Sequence, residues 1–178
     1  RCIPKMSKLR IAKPAADALP EIRTLYQTVI EDMRARKLYQ WEWGEYPYEA
    51  LIREDIKLGR LYRMDDAEGL AGVFALVCGG NEPEYRDVDW QTGDNPVCLH
   101  RIAVLPGRGG RGYAARAVAF AKEYGRSVGC NAFRVDTYGE NTRALKFFAS
   151  VTDRMAGTFR LKGFDKPYFC FESPLKIP

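Results

Sequence analysis

Imidazole is the scarcest chemistry in this chain: its 178 residues include one histidine, His100. The five cysteines, Cys2, Cys78, Cys98, Cys130 and Cys170, stand far apart and form no C-x-x-C pair. A zinc site needs clustered cysteines and histidines, so no metal is expected. Widely spaced thiols inside apolar stretches point instead to reduced, packed side chains of a cytoplasmic protein. Long apolar runs are missing too. None approaches the roughly 20 residues that cross a bilayer, and no signal-peptide pattern opens the chain, so no membrane partner is expected. An internal repeat and a domain linker are likewise absent.

Charge of one sign is only mildly in excess, at +5 with a pI near 9.0. That permits an anionic ligand without making the chain a nucleic-acid binder. What is present is a globular composition, 46% hydrophobic and 29% charged. The length suits one domain with a substantial core. The residues ahead of Met6 are set apart as an upstream extension, giving residues 1–8 and a single domain over 9–178.

Leu9–Lys13 alternates as a strand and ends at Pro14. A helix should follow, capped by Asp17, with Ile22, Leu25, Tyr26, Val29 and Met33 on one face. Lys37–Pro47 is an aromatic loop. Pro47 suits the first turn of a second helix burying Tyr48, Leu51, Ile52 and Ile56, stopped by Gly59. Leu61–Met64 and Leu70–Val77 read as an antiparallel pair. A polar excursion from Cys78 to Asn95 precedes a strand over Val97–Leu105. A helix then buries Ala114, Ala117, Val118, Ala121, Tyr124 and Val128 and stops at Gly129. Ala132–Thr137 is a strand, Asn141–Ser150 a helix, and Arg154–Phe159 and Tyr168–Glu172 are strands. The order β-α-α-β-β-β-α-β-α-β-β predicts a mixed sheet flanked by helices, of α/β (α+β) class, with one parallel crossover.

Between strand and helix lies Pro106-Gly-Arg-Gly-Gly-Arg-Gly-Tyr-Ala114. A single copy wedged between regular elements is a poor RNA-binding RGG segment. Tyr113-Ala114 replace the lysine and hydroxyl of a P-loop. Gly107, Gly109 and Gly112 fit G-x-G-x-x-G, with Asp136 downstream, but the preceding antiparallel strands contradict a doubly wound fold. A bend free of side chains before a helix N-terminus does suit a pyrophosphate, which glycine lets the backbone approach closely. Arg108 and Arg111 would add charge at its rim. A tight turn that binds nothing is the alternative.

Leu99–Ala114 resembles the acetyl-CoA motif of GNAT acetyltransferases, with Gly112-Tyr113-Ala114 on its G-x-[GA] end. Arg134–Phe148 is similar to the family's next strand and Asn-x-x-Ala helix, and the element order matches from Leu9 to Glu172. The resemblance implies a mostly antiparallel sheet of about six or seven strands with a splayed parallel pair. It implies direct transfer of acetyl from acetyl-CoA to a primary amine of a small molecule or peptide. Ile102, Ala103 and Val104 would line the pantetheine slot, a backbone N–H near Ile102 polarising the thioester. Arg108, Gly109, Gly110, Arg111, Gly112, Tyr113 and Ala114 would hold the diphosphate, and Asn141, Ala144 and Phe148 would border the arm. Gly109 stands where the family has Gln or Arg, and Phe148 where many members carry a proton-donating tyrosine. Tyr138 is the substitute acid.

The attacking amine must lose a proton, and His100, Glu42 and Glu45 are the candidate bases. A hydrogen-bonded core role for His100, a capping role for Asn141 and core packing for the aromatic loop are the structural alternatives. Trp41 and Tyr46, with Tyr39 and Trp43, would wall the acceptor site. A non-catalytic acyl-CoA-binding module and an NAD-binding oxidoreductase stay open, as does the oligomeric state, a homodimer included.

Overall fold

The computed structural model describes residues 8–177. The extension expected over residues 1–8, Lys8 apart, and Cys2 lie outside the described residues. The elements are β1 (Arg10–Ala12), α1 (Leu19–Ala35), α2 (Glu49–Lys57), β2 (Leu61–Asp66), β3 (Gly69–Cys78), β4 (Pro96–Val104), α3 (Tyr113–Ser127), β5 (Ala132–Tyr138), α4 (Thr142–Val151), β6 (Arg154–Phe159) and β7 (Tyr168–Pro174). The seven strands form one sheet in the order β1-β2-β3-β4-β5-β7-β6. Every neighbouring pair is antiparallel except β4 and β5.

Helical periodicity on α3 carries Ala117, Val118 and Ala121 onto Val97, Leu99, Phe133 and Val135, and α4 adds Phe148 to that face. On the other face Ile22, Leu25, Tyr26 and Val29 of α1 and Ile52 of α2 cover Leu61, Val73, Ala75 and Ala103. Burying a large apolar side chain of this kind stabilises by about 1.5–3 kcal/mol. Beyond the reach of α1 and α2, the 79–95 excursion covers the sheet, placing Tyr85 and Val88 on Cys98, Ala156 and Cys170. The excursion holds only a 3-10 turn, Pro83–Tyr85, so its backbone groups are tied down by side chains. The buried Glu172 carboxylate accepts from the Gln91 N–H (2.9 Å) and the Thr92 hydroxyl (2.7 Å). Arg134 donates to the Gly93 carbonyl (2.7 Å) and lies over the Trp90 ring.

Two helix starts differ from expectation. Asp17 falls in a 3-10 turn, and α1 begins beyond it without a side-chain cap, with Pro20 in its first turn. Pro47 belongs to the aromatic loop, because its carbonyl accepts from the Gly44 N–H (3.1 Å) and closes that loop. Tyr48 is therefore the N-cap residue of α2 and exposed, and the buried face of α2 holds Ile52 and a carboxylate, Asp55. Val128 is also exposed, and Gly125 takes its place against Val97. Cys98, Cys130 and Cys170 are free and buried, whereas Cys78 is free but exposed, 3.6 Å from the Cys130 sulfur.

Candidate active site

Parallel pairing of β4 with β5 runs from Pro96↔Ala132 to Leu99↔Val135 and then stops. Beyond that point β5 stays with β7 through Tyr138, while β4 stays with β3. The two strands splay. On β4 two residues, Arg101 and Ile102, oppose the single Phe74 of β3, and Arg101 has a left-handed φ of 52°. This is a β-bulge. Leu105 N–H bonds the Ala71 carbonyl (2.8 Å), so the alternation of an extended strand turns the peptide groups of Ile102 and Val104 toward the slot where β5 has left. A cavity of about 1040 Å³ occupies the splay. Leu99 to Leu105, Val135 to Tyr138, Asn141, Ala144 and Phe148 all line it.

The glycine bend closes one end. Gly110 and Gly112 have φ of 78° and 79°, and a Cβ at either, or at Gly107, would meet nothing within 4 Å. Among the described residues no protein acceptor pairs with the N–H groups of Gly110, Arg111, Gly112, Ala114 or Ala115. The bend is thus open and presents donors at the positive end of α3. The two arginines turn elsewhere. Arg108 Nε lies 3.3 Å from Asp66 and from Glu68, and Arg111 Nη1 lies 2.7 Å from Glu68. The Tyr113 hydroxyl donates to the same Asp66 (2.9 Å). Both cations are therefore shared with the tip of the β2–β3 hairpin, and Arg111 does not line the cavity. A cation that sequence reasoning missed is nearby. Arg143, in the first turn of α4, places Nη2 3.3 Å from a Cβ built at Gly109 and lines the cavity. No acceptor among the described residues pairs with it.

In the cavity lining, His100 Nε2 sits 2.7 Å from Glu82 Oε1. Burial by itself would raise the Glu82 carboxyl, but the His100 hydrogen bond and charge offset that and hold it below the usual range. An ionised carboxylate only accepts, so Nε2 carries the proton and Nδ1 is the basic nitrogen of neutral His100. Beside this pair the Tyr85 hydroxyl donates to Asp136. Burial pushes the Asp136 carboxyl up, partly countered by the His100 charge. Tyr138, at the end of β5, is buried between Phe164 and Tyr168. Its hydroxyl accepts the Lys166 N–H (3.4 Å), and Tyr138 lines the cavity.

The far wall comes from the aromatic loop and α2. Trp41 packs edge-on against Tyr26 and Tyr46, and both Trp41 and Tyr46 line the cavity. Trp43 stacks on Tyr26, and Tyr39 is exposed. Glu42 pairs with Arg34 at the surface (3.3 Å), and Glu45 is exposed; neither lines the cavity. The bulge residue Arg101 is held from three sides. Its guanidinium meets the fully buried Asp55 at 2.8 Å and the Tyr46 hydroxyl at 3.3 Å, and its carbonyl accepts from the Tyr26 hydroxyl at 2.8 Å. Asn141 caps α4 by accepting from Ala144 N–H (3.2 Å) while lining the cavity.

Residues 26–151 match the model of the acetyltransferase (GNAT) family. The chain belongs to that family. Among curated proteins no sequence matches it. Solved structures share the fold: an acetyltransferase of the GNAT family from Streptococcus agalactiae 2603 superposes with a TM-score of 0.78 at 20% identity, over 94% of this chain and 96% of the other. One from Listeria monocytogenes 4b F2365 gives 0.74 at 18%, over 94% and 95%. The ribosomal-protein-S18-alanine N-acetyltransferase from Escherichia coli gives 0.68 at 12%, over 96% of each chain. The mixed sheet of this GNAT chain, with its single parallel pair, also excludes a doubly wound dinucleotide fold. Phe148 is 4% exposed and packs on Phe147 and Phe171.

Proposed function

We propose that this GNAT chain transfers the acetyl group of acetyl-CoA to a primary amine on a small molecule or peptide. The observation that carries this reading is the open glycine bend, continuous with a slot that leads to His100 and Glu82. The unpaired N–H groups of Gly110, Arg111, Gly112, Ala114 and Ala115 would donate to the diphosphate, and Arg143 would supply the charge that Gly109 lacks and that Arg108 and Arg111 share with the hairpin. Peptide groups of Ile102 and Val104 face the slot and would bond the arm as a strand would. An aimed N–H beside the thioester oxygen contributes roughly 3–4 kcal/mol in acyl transfer.

Acetyl-CoA supplies the activated acyl carbon. His100 Nδ1 takes the proton released as the amine nitrogen bonds to that carbon. Glu82 holds the ring through Nε2 and offsets the charge it gains. Tyr138 gives its hydroxyl proton to the departing sulfur as the carbon–sulfur bond breaks, and recovers one from solvent. Trp41 and Tyr46 bound the acceptor. The test is to incubate the protein with acetyl-CoA and a panel of amines and follow free thiol. Amine-dependent release is expected. Tight CoA binding without release from any acceptor would instead make the chain a binding module.

A further inference from the structure

We infer that Glu82, Cys98 and His100 together form a site for a divalent cation of zinc character. Cys98 and His100 are two apart on β4 and face the same side of the sheet, below the excursion that carries Glu82. One ligand atom from each lies within 4.8 Å of the others. His100 Nε2 is 2.7 Å from Glu82 Oε1, and the Cys98 sulfur is 4.0 Å from Glu82 Oε2. A tetrahedral zinc with bonds of about 2.0–2.3 Å holds its ligand atoms roughly 3.3–3.8 Å apart. The first gap must widen by under about 1 Å and the second must close slightly to admit the ion.

The two strand ligands are fixed, whereas Glu82 precedes a short 3-10 turn and can adjust. One imidazole, one thiolate and one carboxylate make a donor set that suits zinc better than calcium or magnesium. Three protein ligands leave a fourth position, and Glu82 and His100 both line the cavity into which it opens. Zinc sites show in sequence as clustered cysteines and histidines; here the third ligand is a carboxylate from a distant loop.

Binding replaces the Nε2 proton, which moves to Nδ1, releases the Cys98 thiol proton to solvent and removes the Glu82 hydrogen bond, so an occupied site disarms the base. That consequence rests on the proposed transferase reading; the site itself does not. The full-length protein, stripped of metal, is titrated with Zn²⁺ against a chromophoric chelator and, separately, with Co²⁺. One equivalent per chain and a thiolate-to-cobalt charge-transfer band are expected. Cys98→Ser abolishes the band, Glu82→Gln weakens Zn²⁺ by ten-fold or more, and a Cys78→Ser, Cys130→Ser double variant keeps both properties. Circular dichroism checks each variant for folding, and the Glu82→Gln result stands if Cys98→Ser does not fold. The absence of binding, binding that survives Cys98→Ser, or binding lost with the Cys78/Cys130 pair each overturns the site. Once an acceptor is found, Zn²⁺ should block loss of thioester absorbance in the wild type and not in Cys98→Ser. A bound ion with undiminished turnover would overturn the inhibitory role while leaving the transferase reading intact.

Discussion

At the scale of single residues, the glycine bend makes the sharpest demands. Gly112 has φ of 79° in front of α3, a conformation that costs an ordinary L residue roughly 1–2 kcal/mol. A valine there also projects into the open space of the proposed diphosphate site, so Gly112→Val should weaken CoA binding by roughly ten-fold or more, about 1.4 kcal/mol. Calorimetric titration of the folded variant checks this, and unchanged affinity removes the anion from the bend. Arg143→Gln should raise KM for acetyl-CoA by roughly 10–150-fold with kcat little altered, the loss of one hydrogen bond to a charged group. Gly110 and Gly112 are legible in a sequence because few other residues tolerate their left-handed backbone. Arg143 was not, since nothing in its neighbours marks which arginine remains unpaired; that depends on Asp66 and Glu68 capturing the other two. Glu82 and Asp55 were hidden for a similar reason. A carboxylate is read as solvated until a fold brings it a buried partner.

At the scale of elements, hydrophobic periodicity located nearly every strand and helix, because each buries one face on a single sheet. It failed where the burying group is small or polar. Gly125 sits on α3 where a Cβ would come within 2.5 Å of Val97 and 2.9 Å of Leu175. Gly125→Val should therefore destabilise by about 1–3 kcal/mol through overpacking, read from the midpoint of urea unfolding. A neutral result would mean that α3 stands off from β4. Periodicity also could not show the end of the β4–β5 pairing. Both strands continue past Leu99 and Val135, each held by its outer partner as the pair parts.

For the whole molecule, a ligand bridging the bend and the slot should stabilise the fold by mass action. CoA at about 100 times its Kd adds roughly 2.7 kcal/mol, hence a Tm rise of roughly 5–11 °C for a chain of this size, with none from NADH. Equal shifts from both, or none from CoA, would remove the cofactor assignment. Acid should act through Glu82. Its folded carboxyl is held below the ordinary value, so its contribution is present above that value and lost as pH falls through the folded one. Asp136, raised by burial, has the opposite sign, its contribution lost as pH rises through its folded value. Glu82→Gln should flatten the acid limb of the unfolding free energy, and an unaltered limb would show that Glu82 gains nothing from His100. The extra residue at Arg101 has a consequence of its own. It acts as a phase slip: upstream, even-numbered side chains of β4 lie under the excursion, and downstream the odd-numbered Ala103 lies beneath α1. Parity along this strand is therefore a stored quantity. Excising position 101 would restore a plain ladder and turn the peptide groups of Ile102 or Val104 out of phase with the gap, leaving a well-paired sheet with nothing offered to an incoming chain.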